Sequence, residues 1–116
     1  LKTIIAGSRD MNDYIRLRKI MEKYRHTISE VVCGMARGVD TLGYTWAQIR
    51  EIPVKEFPAN WDLHGKSAGY KRNEEMAQYA EACICLWDGE SKGTKHMIDL
   101  AILYKLELKV IRLRKS

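Results

Sequence analysis

Strand-like and helix-like segments alternate along all 116 residues, and that alternation predicts an α/β fold with a five-stranded parallel sheet and helices on both faces. Three observations carry the prediction. Short apolar runs recur five times, helical periods fill the gaps between them, and neither a linker nor an internal repeat divides the chain. Parallel neighbours need a crossover, usually a right-handed helix, so the arrangement is a three-layer, Rossmann-like domain over residues 1–116. Of the two common strand orders, 3-2-1-4-5 is preferred here to 2-1-3-4-5.

The first strand is LKTIIAG, ended by Gly7, and Tyr14, Leu17, Ile20, Met21 and Tyr24 then fall at helical spacing. EVVCG repeats the strand form and ends at Gly34, followed by the helical period of Val39, Leu42, Trp46 and Ile49. VKEF is the third strand. The connection after it, Pro58 to about Ser67, exceeds the usual few-residue turn and reads as a lid-like loop. Met76, Tyr79 and Ala80 pattern a weaker helix from Ala68, and no proline breaks it. ACICLW, the helical set Met97, Ile98, Ala101 and Ile102, and KVIRL complete the alternation.

Composition narrows the function classes. An apolar fraction of 46% and a charged fraction of 30% are ordinary for a globular protein. No apolar run approaches a membrane span, and a cytoplasmic protein is expected. Twenty Lys and Arg against fifteen Asp and Glu give +5, a mild preference for anionic ligands that does not by itself imply nucleic acid. The terminal RLRKS is too short to change that. His26, His64 and His96 are scattered and make no zinc signature, so no metal and no cofactor is expected. Cys33, Cys83 and Cys85 read as buried free thiols.

Ligands of such sheets bind outside the carboxyl ends of the strands. The sequence places chemistry there four times: GSRD, GMARGVD, PANWDLHGKSAGYKRN and WDGESKGT. Gly7 permits close backbone approach, Ser8 offers a hydroxyl, and Arg9 offers a fork for phosphate or carboxylate. Gly34 and Gly38 frame a turn that can aim amides at an anion, with Arg37 between them. Asp40 reads equally as a helix-start acid and as an acceptor for a ribose hydroxyl. Gly89 and Gly93 bracket the fourth loop, which also holds Lys92. Thr94 falls where helix amides gather, either to hold an anion or to cap the helix. Trp61 reads first as a plug in the core and second as a stacking platform. His64 beside Asp62 suggests a general base, against the commoner solvated loop histidine. Neither G-x-x-x-x-G-K-[ST] nor G-x-G-x-x-G is present, which disfavours a Walker ATPase and an ordinary dinucleotide dehydrogenase.

As a set, AGSRDMND, VVCGMARGVDTLGYTWA, FPANWDLHGKSAGYKRNEEM and WDGESKGTKHMIDLA resemble the YspA-like branch of the SLOG superfamily. Its relatives include the LOG phosphoribohydrolases and DprA. The resemblance implies a Rossmann-like fold and a site for a nucleotide or a nucleotide-derived ligand, such as an ADP-ribose-like or NAD-derived molecule. It falls on Gly7, Ser8, Arg9, Gly34, Ala36, Arg37, Gly38 and Asp40. Further along it covers Trp61, His64, Gly65, Lys66, Arg72, Asn73, Gly89, Gly93 and Thr94. Homo-oligomers are common among LOG relatives, and Met21 and Tyr104 are candidate interface residues. LOG enzymes resemble P-G-G-x-G-T-x-x-E in the fourth loop, whereas the position of that Glu here is Met97. A thioether can neither move a proton nor stabilise an oxocarbenium-like centre. The expected function is therefore ligand binding, as a sensor or sequestering domain. A nucleotide hydrolase using Asp62, His64, Arg72 or Asp88 is the alternative, and a single-stranded nucleic-acid binder the third reading.

Overall fold

The computed structural model describes residues 1–113. Its strands are β1 (Lys2–Gly7), β2 (Glu30–Cys33), β3 (Val54–Glu56), β4 (Ala82–Trp87) and β5 (Glu107–Arg112). They form one parallel sheet in the order β3-β2-β1-β4-β5. The helices are α1 (Tyr14–Glu22), α2 (Val39–Ile49), α3 (Trp61–His64), α4 (Ala68–Tyr79) and α5 (Lys92–Leu103).

Side chains alternate across a strand, so β1 feeds two cores. Ile5 points to the face covered by α1 and α2, where it meets Leu17, Met21, Val39 and Trp46. Ile4 and Ala6 point to the other face, against Met76 and Ala77 of α4 and Met97 and Ile98 of α5. Three layers result, with β1 buried between the two helix pairs. Side chains fix where the helices begin: Asp13 accepts from the Arg16 amide at 3.0 Å, and Ser91 accepts from the Thr94 amide at 3.4 Å. Ser91 is thus the cap of α5, and Thr94 lies inside its first turn.

Several expectations change. The Pro58–Ser67 connection is not a plain loop, because Asn60 accepts from the Leu63 amide and starts α3, and a 3-10 turn at Gly65–Ser67 leads into α4. Trp61 is 54% exposed and belongs to neither core, so it is no core plug. Ile49 and Ile102, counted in the helical periods, face outward. Met21 is fully buried and cannot serve an interface. The three cysteines are free and buried, and burial pushes the Cys33 thiol up to about 11, leaving it a poor nucleophile. Arg114, Lys115 and Ser116 of RLRKS lie outside the described residues, and among those described no helix is long and apolar enough to cross a membrane.

Candidate functional site

In this strand order β1 and β4 lie side by side while their helices cover opposite faces, which opens a crevice at their carboxyl ends. The two loops above that crevice are tied together. The Ser8 amide donates to the Leu86 carbonyl at 3.1 Å, and the Asp88 amide donates to Ser8 Oγ at 3.0 Å. Ser8 is 3% exposed, so its hydroxyl joins loops rather than facing a ligand. Gly7 is needed here because a β-carbon would run into the Leu86 carbonyl oxygen.

The floor of the crevice is a cavity of ≈ 50 Å³ that reaches Gly7, Arg9, Asp40, Arg72, Asn73, Gly93 and Thr94, with Met76 and Met97 as its apolar side. Asp40, in the first turn of α2, is 6% exposed, and the Ala36 amide donates to its Oδ2 at 3.4 Å. Burial pushes its carboxyl up to about 6, against the opposing pull of Arg72, the Ala36 and Gly34 amides and Arg9. Arg72 donates through Nη1 to the Gly34 carbonyl and through Nε to Asn73 Oδ1 at 3.0 Å, so α4 is anchored to the end of β2. Burial lowers the Arg72 pKa, partly offset by Asp40. The Asn73 amide group is fully engaged, its nitrogen reaching the Gly93 carbonyl at 3.4 Å and His96 Nδ1 at 3.2 Å. That contact makes His96 Nδ1 the acceptor and the ring neutral, in line with a pKa lowered first by burial.

Two hollows open above the floor and share Arg9, Trp61 and Arg72. One, of ≈ 510 Å³, adds Gly34, Met35, Arg37 and Pro58. The other, of ≈ 330 Å³, adds Lys66, Tyr70, Asn73, Ser91, Lys92 and Gly93. Both volumes suit small-molecule ligands. Among the described residues neither is lined by a carboxylate, whereas each has three or more cations, and the amides at the start of α5 border the second.

Of the residues picked out by sequence, these three spaces gather Gly7, Arg9, Gly34, Arg37, Asp40, Trp61, Lys66, Arg72, Asn73, Lys92, Gly93 and Thr94. The others stand apart. Gly38 supports the turn from behind, His64 does not line them, and Asp62 lines none of the three but borders an adjoining hollow with Pro58 and Trp61. Asp88 accepts from the Glu90 and Ser91 amides at 2.8 Å, shaping its own loop, while Gly89 leaves room for the Arg112 guanidinium. Sequence reasoning missed Ser91, Tyr70 and His96. Ser91 was hidden by an inaccurate helix start, the i,i+3 spacing of Tyr70 and Asn73 on α4 was the signal for Tyr70, and His96 of α5 lines none of the three spaces but holds Asn73 and packs edge-on against Tyr70 at 4.5 Å.

The Asp40 environment has a measurable signature. Its folded pKa of about 6 lies above the unfolded value of 3.8, so the stabilising preference for the protonated form is fully present below 3.8 and is lost as pH rises through about 6. The ligand-free protein is expected to lose on the order of 3 kcal/mol across that window from this group. His96 works in the opposite sense, costing stability as pH falls below its ordinary 6.5. Melting temperatures from pH 4 to 7 therefore separate the two when compared with Asp40→Asn, which is expected to remove the loss on the alkaline side and keep the acid-side one.

Residues 1–64 match the model of the YspA, cpYpsA-related SLOG family. The Gene 61 protein of Mycobacterium phage D29 is 34% identical over 104 residues, covering 82% of this chain and 83% of that protein. Among solved structures, DNA processing protein A (DprA) from Streptococcus pneumoniae superposes with a TM-score of 0.79 at 15% identity over 97% of this chain. The chain spans 50% of that protein's length. The DprA of Helicobacter pylori, described for its single-stranded DNA binding mode, gives 0.68 at 18% identity over 100% of this chain and 67% of its own. At such identities the two likenesses concern the fold.

Proposed function

The chain belongs to the YspA, cpYpsA-related SLOG family, and from that premise we propose that it binds a nucleotide or nucleotide-derived ligand at the carboxyl edge of its sheet, as a sensor or sequestering domain. The observation that carries this reading is the split of charge in the site. Arg9, Arg37, Lys66, Arg72 and Lys92 line outer hollows that hold no carboxylate among the described residues, above a floor that holds the buried Asp40. Phosphate suits the cations and the free amides of α5, and a base suits the exposed Trp61 indole. An ADP-ribose-like or NAD-derived molecule is within the range of sizes the hollows accept.

Hydrolysis is the less favoured reading. Met97, 1% exposed, occupies the floor where an acid would be needed. Self-association, if it accompanies binding, would use the exposed Ile102, Leu103 and Tyr104 at the end of α5. Single-stranded nucleic acid is the second reading, favoured by Trp61 and Tyr70 standing exposed beside the basic rim.

Thermal shift against AMP, ADP-ribose, NAD, cyclic nucleotides and a short oligonucleotide is the test. A ligand at one hundred times its Kd is expected to add about 2.7 kcal/mol, on the order of 10 °C for a domain of this size. Indifference to the whole panel would sink the proposal. A response confined to the oligonucleotide, steeply weakened by salt, would transfer the site to the second reading.

A further inference from the structure

Resting on the nucleotide reading above, we propose that Asp40 selects the ligand by its sugar hydroxyls, so that the site takes ribose-bearing phosphates and discriminates against their deoxy counterparts. The floor cavity of ≈ 50 Å³ has room for a few water-sized groups and is too small for a nucleobase. Apart from Arg9 and Arg72, which it shares with the outer hollows, its polar side chains are acceptors or already engaged. Thr94 donates its hydroxyl proton to Ser91 Oγ at 3.1 Å and so presents only lone pairs. Asn73 has both ends of its amide bound to Arg72, Gly93 and His96. Asp40 is 6% exposed, and among the described residues the Ala36 and Gly34 amides are its hydrogen-bond donors, with Arg72 and Arg9 acting on it through charge. A carboxylate has about four acceptor positions, so capacity for further donors remains.

That inventory decides what enters. A phosphate oxygen brings no donor for Asp40 and meets its like charge, whereas the outer hollows offer it the same Arg9 and Arg72 with further cations and no carboxylate among the described residues. An ammonium brings donors but must pass Arg9 and Arg72, which line both the cavity and the outer hollows and therefore stand between them. Neutral hydroxyl donors carry neither penalty. A sugar phosphate fits the gradient from end to end: hydroxyls inward on Asp40 and Thr94, phosphate outward on the cationic rim.

Hydrogen bonds to a charged acceptor contribute roughly 10- to 100-fold each in affinity. Isothermal titration of wild-type protein with AMP against 2′,3′-dideoxy-AMP, and with ribose 5-phosphate against 2-deoxyribose 5-phosphate, reads that contribution directly. AMP is expected to bind at least about 10-fold tighter than the dideoxy compound, and Asp40→Asn to shrink the ratio to about threefold or less. Wild-type affinities within about threefold of each other, or a ratio unchanged in a folded Asp40→Asn protein, would overturn the inference while leaving nucleotide binding intact. Failure of AMP, its dideoxy analogue and both sugar phosphates to bind would overturn the inference, and the nucleotide reading falls with it only if ADP-ribose, NAD and the cyclic nucleotides are also without effect. Should Asp40→Asn not fold, the wild-type ratio alone decides.

Discussion

Replacing Arg72 by alanine is expected to weaken nucleotide binding by at least about 100-fold and to destabilise the ligand-free protein by about 2–4 kcal/mol. The side chain serves three partners at once. It donates to the Gly34 carbonyl and to Asn73 Oδ1, and it is the strongest favourable charge acting on buried Asp40. Truncation leaves the Gly34 carbonyl and the Asn73 oxygen without this donor and the carboxylate without its strongest compensation. The carboxyl should then rise beyond about 6, so the loss of stability with rising pH becomes steeper, in the sense worked out above. Arg72→Lys separates charge from geometry: one ammonium cannot reproduce both donations, so partial stability without recovery of affinity is expected. Denaturant titration and calorimetry on the three proteins check this. Affinity unchanged in Arg72→Ala would remove Arg72 from the ligand site.

The fold was legible because its signals are local. Apolar runs such as ACICLW, bounded by turns and separated by helical periods, specify strands and crossovers without any knowledge of tertiary contacts. Strand order was a choice between two patterns and agreed with the observed one. The site was legible at the level of which loops converge, since the topology brings every strand end to the same edge. What each residue does there was less so. In a linear reading Ser8 looks like a ligand group and Asp88 like a hydrolase's acid, yet the first ties two loops and the second holds the Glu90 and Ser91 amides. Asn73 is among the residues on which the family resemblance places the site, but its amide is committed to neighbours 1, 20 and 23 residues away, a fact fixed by packing between α4 and α5. Trp61 was misjudged because its burial depends on where a four-residue helix sets it down, and hydrophobicity alone does not report that.

Gly38→Ala is expected to destabilise the fold by about 3 kcal/mol or more, on the order of 10–20 °C in melting temperature. Gly38 has φ +80 and ψ −130, a conformation that side chains with a β-carbon rarely adopt. Space is also denied. An added β-carbon would collide with the Ser8 carbonyl oxygen and come within 2.6 Å of the Arg9 carbonyl carbon and Cα. These are backbone atoms, so no rotamer change relieves the contact, and the loop itself has to move. The Ser8 carbonyl accepts from the amides of Val39 at 3.2 Å and Met11 at 3.4 Å, bonds that hold the start of α2 against the end of β1. Displacing that loop shifts Arg9, which borders all three spaces of the site, so ligand affinity falls even in protein that remains folded. Gly93→Ala is the matched control, since a β-carbon there meets nothing within 4 Å and no positive φ is involved. Its position in the first turn of α5 makes a neutral or slightly stabilising change, up to about 1 kcal/mol, the expected outcome. Thermal melts of the two variants side by side test the assignment: comparable stability in both would mean that the β1 and β2 loops do not depend on the Gly38 contact.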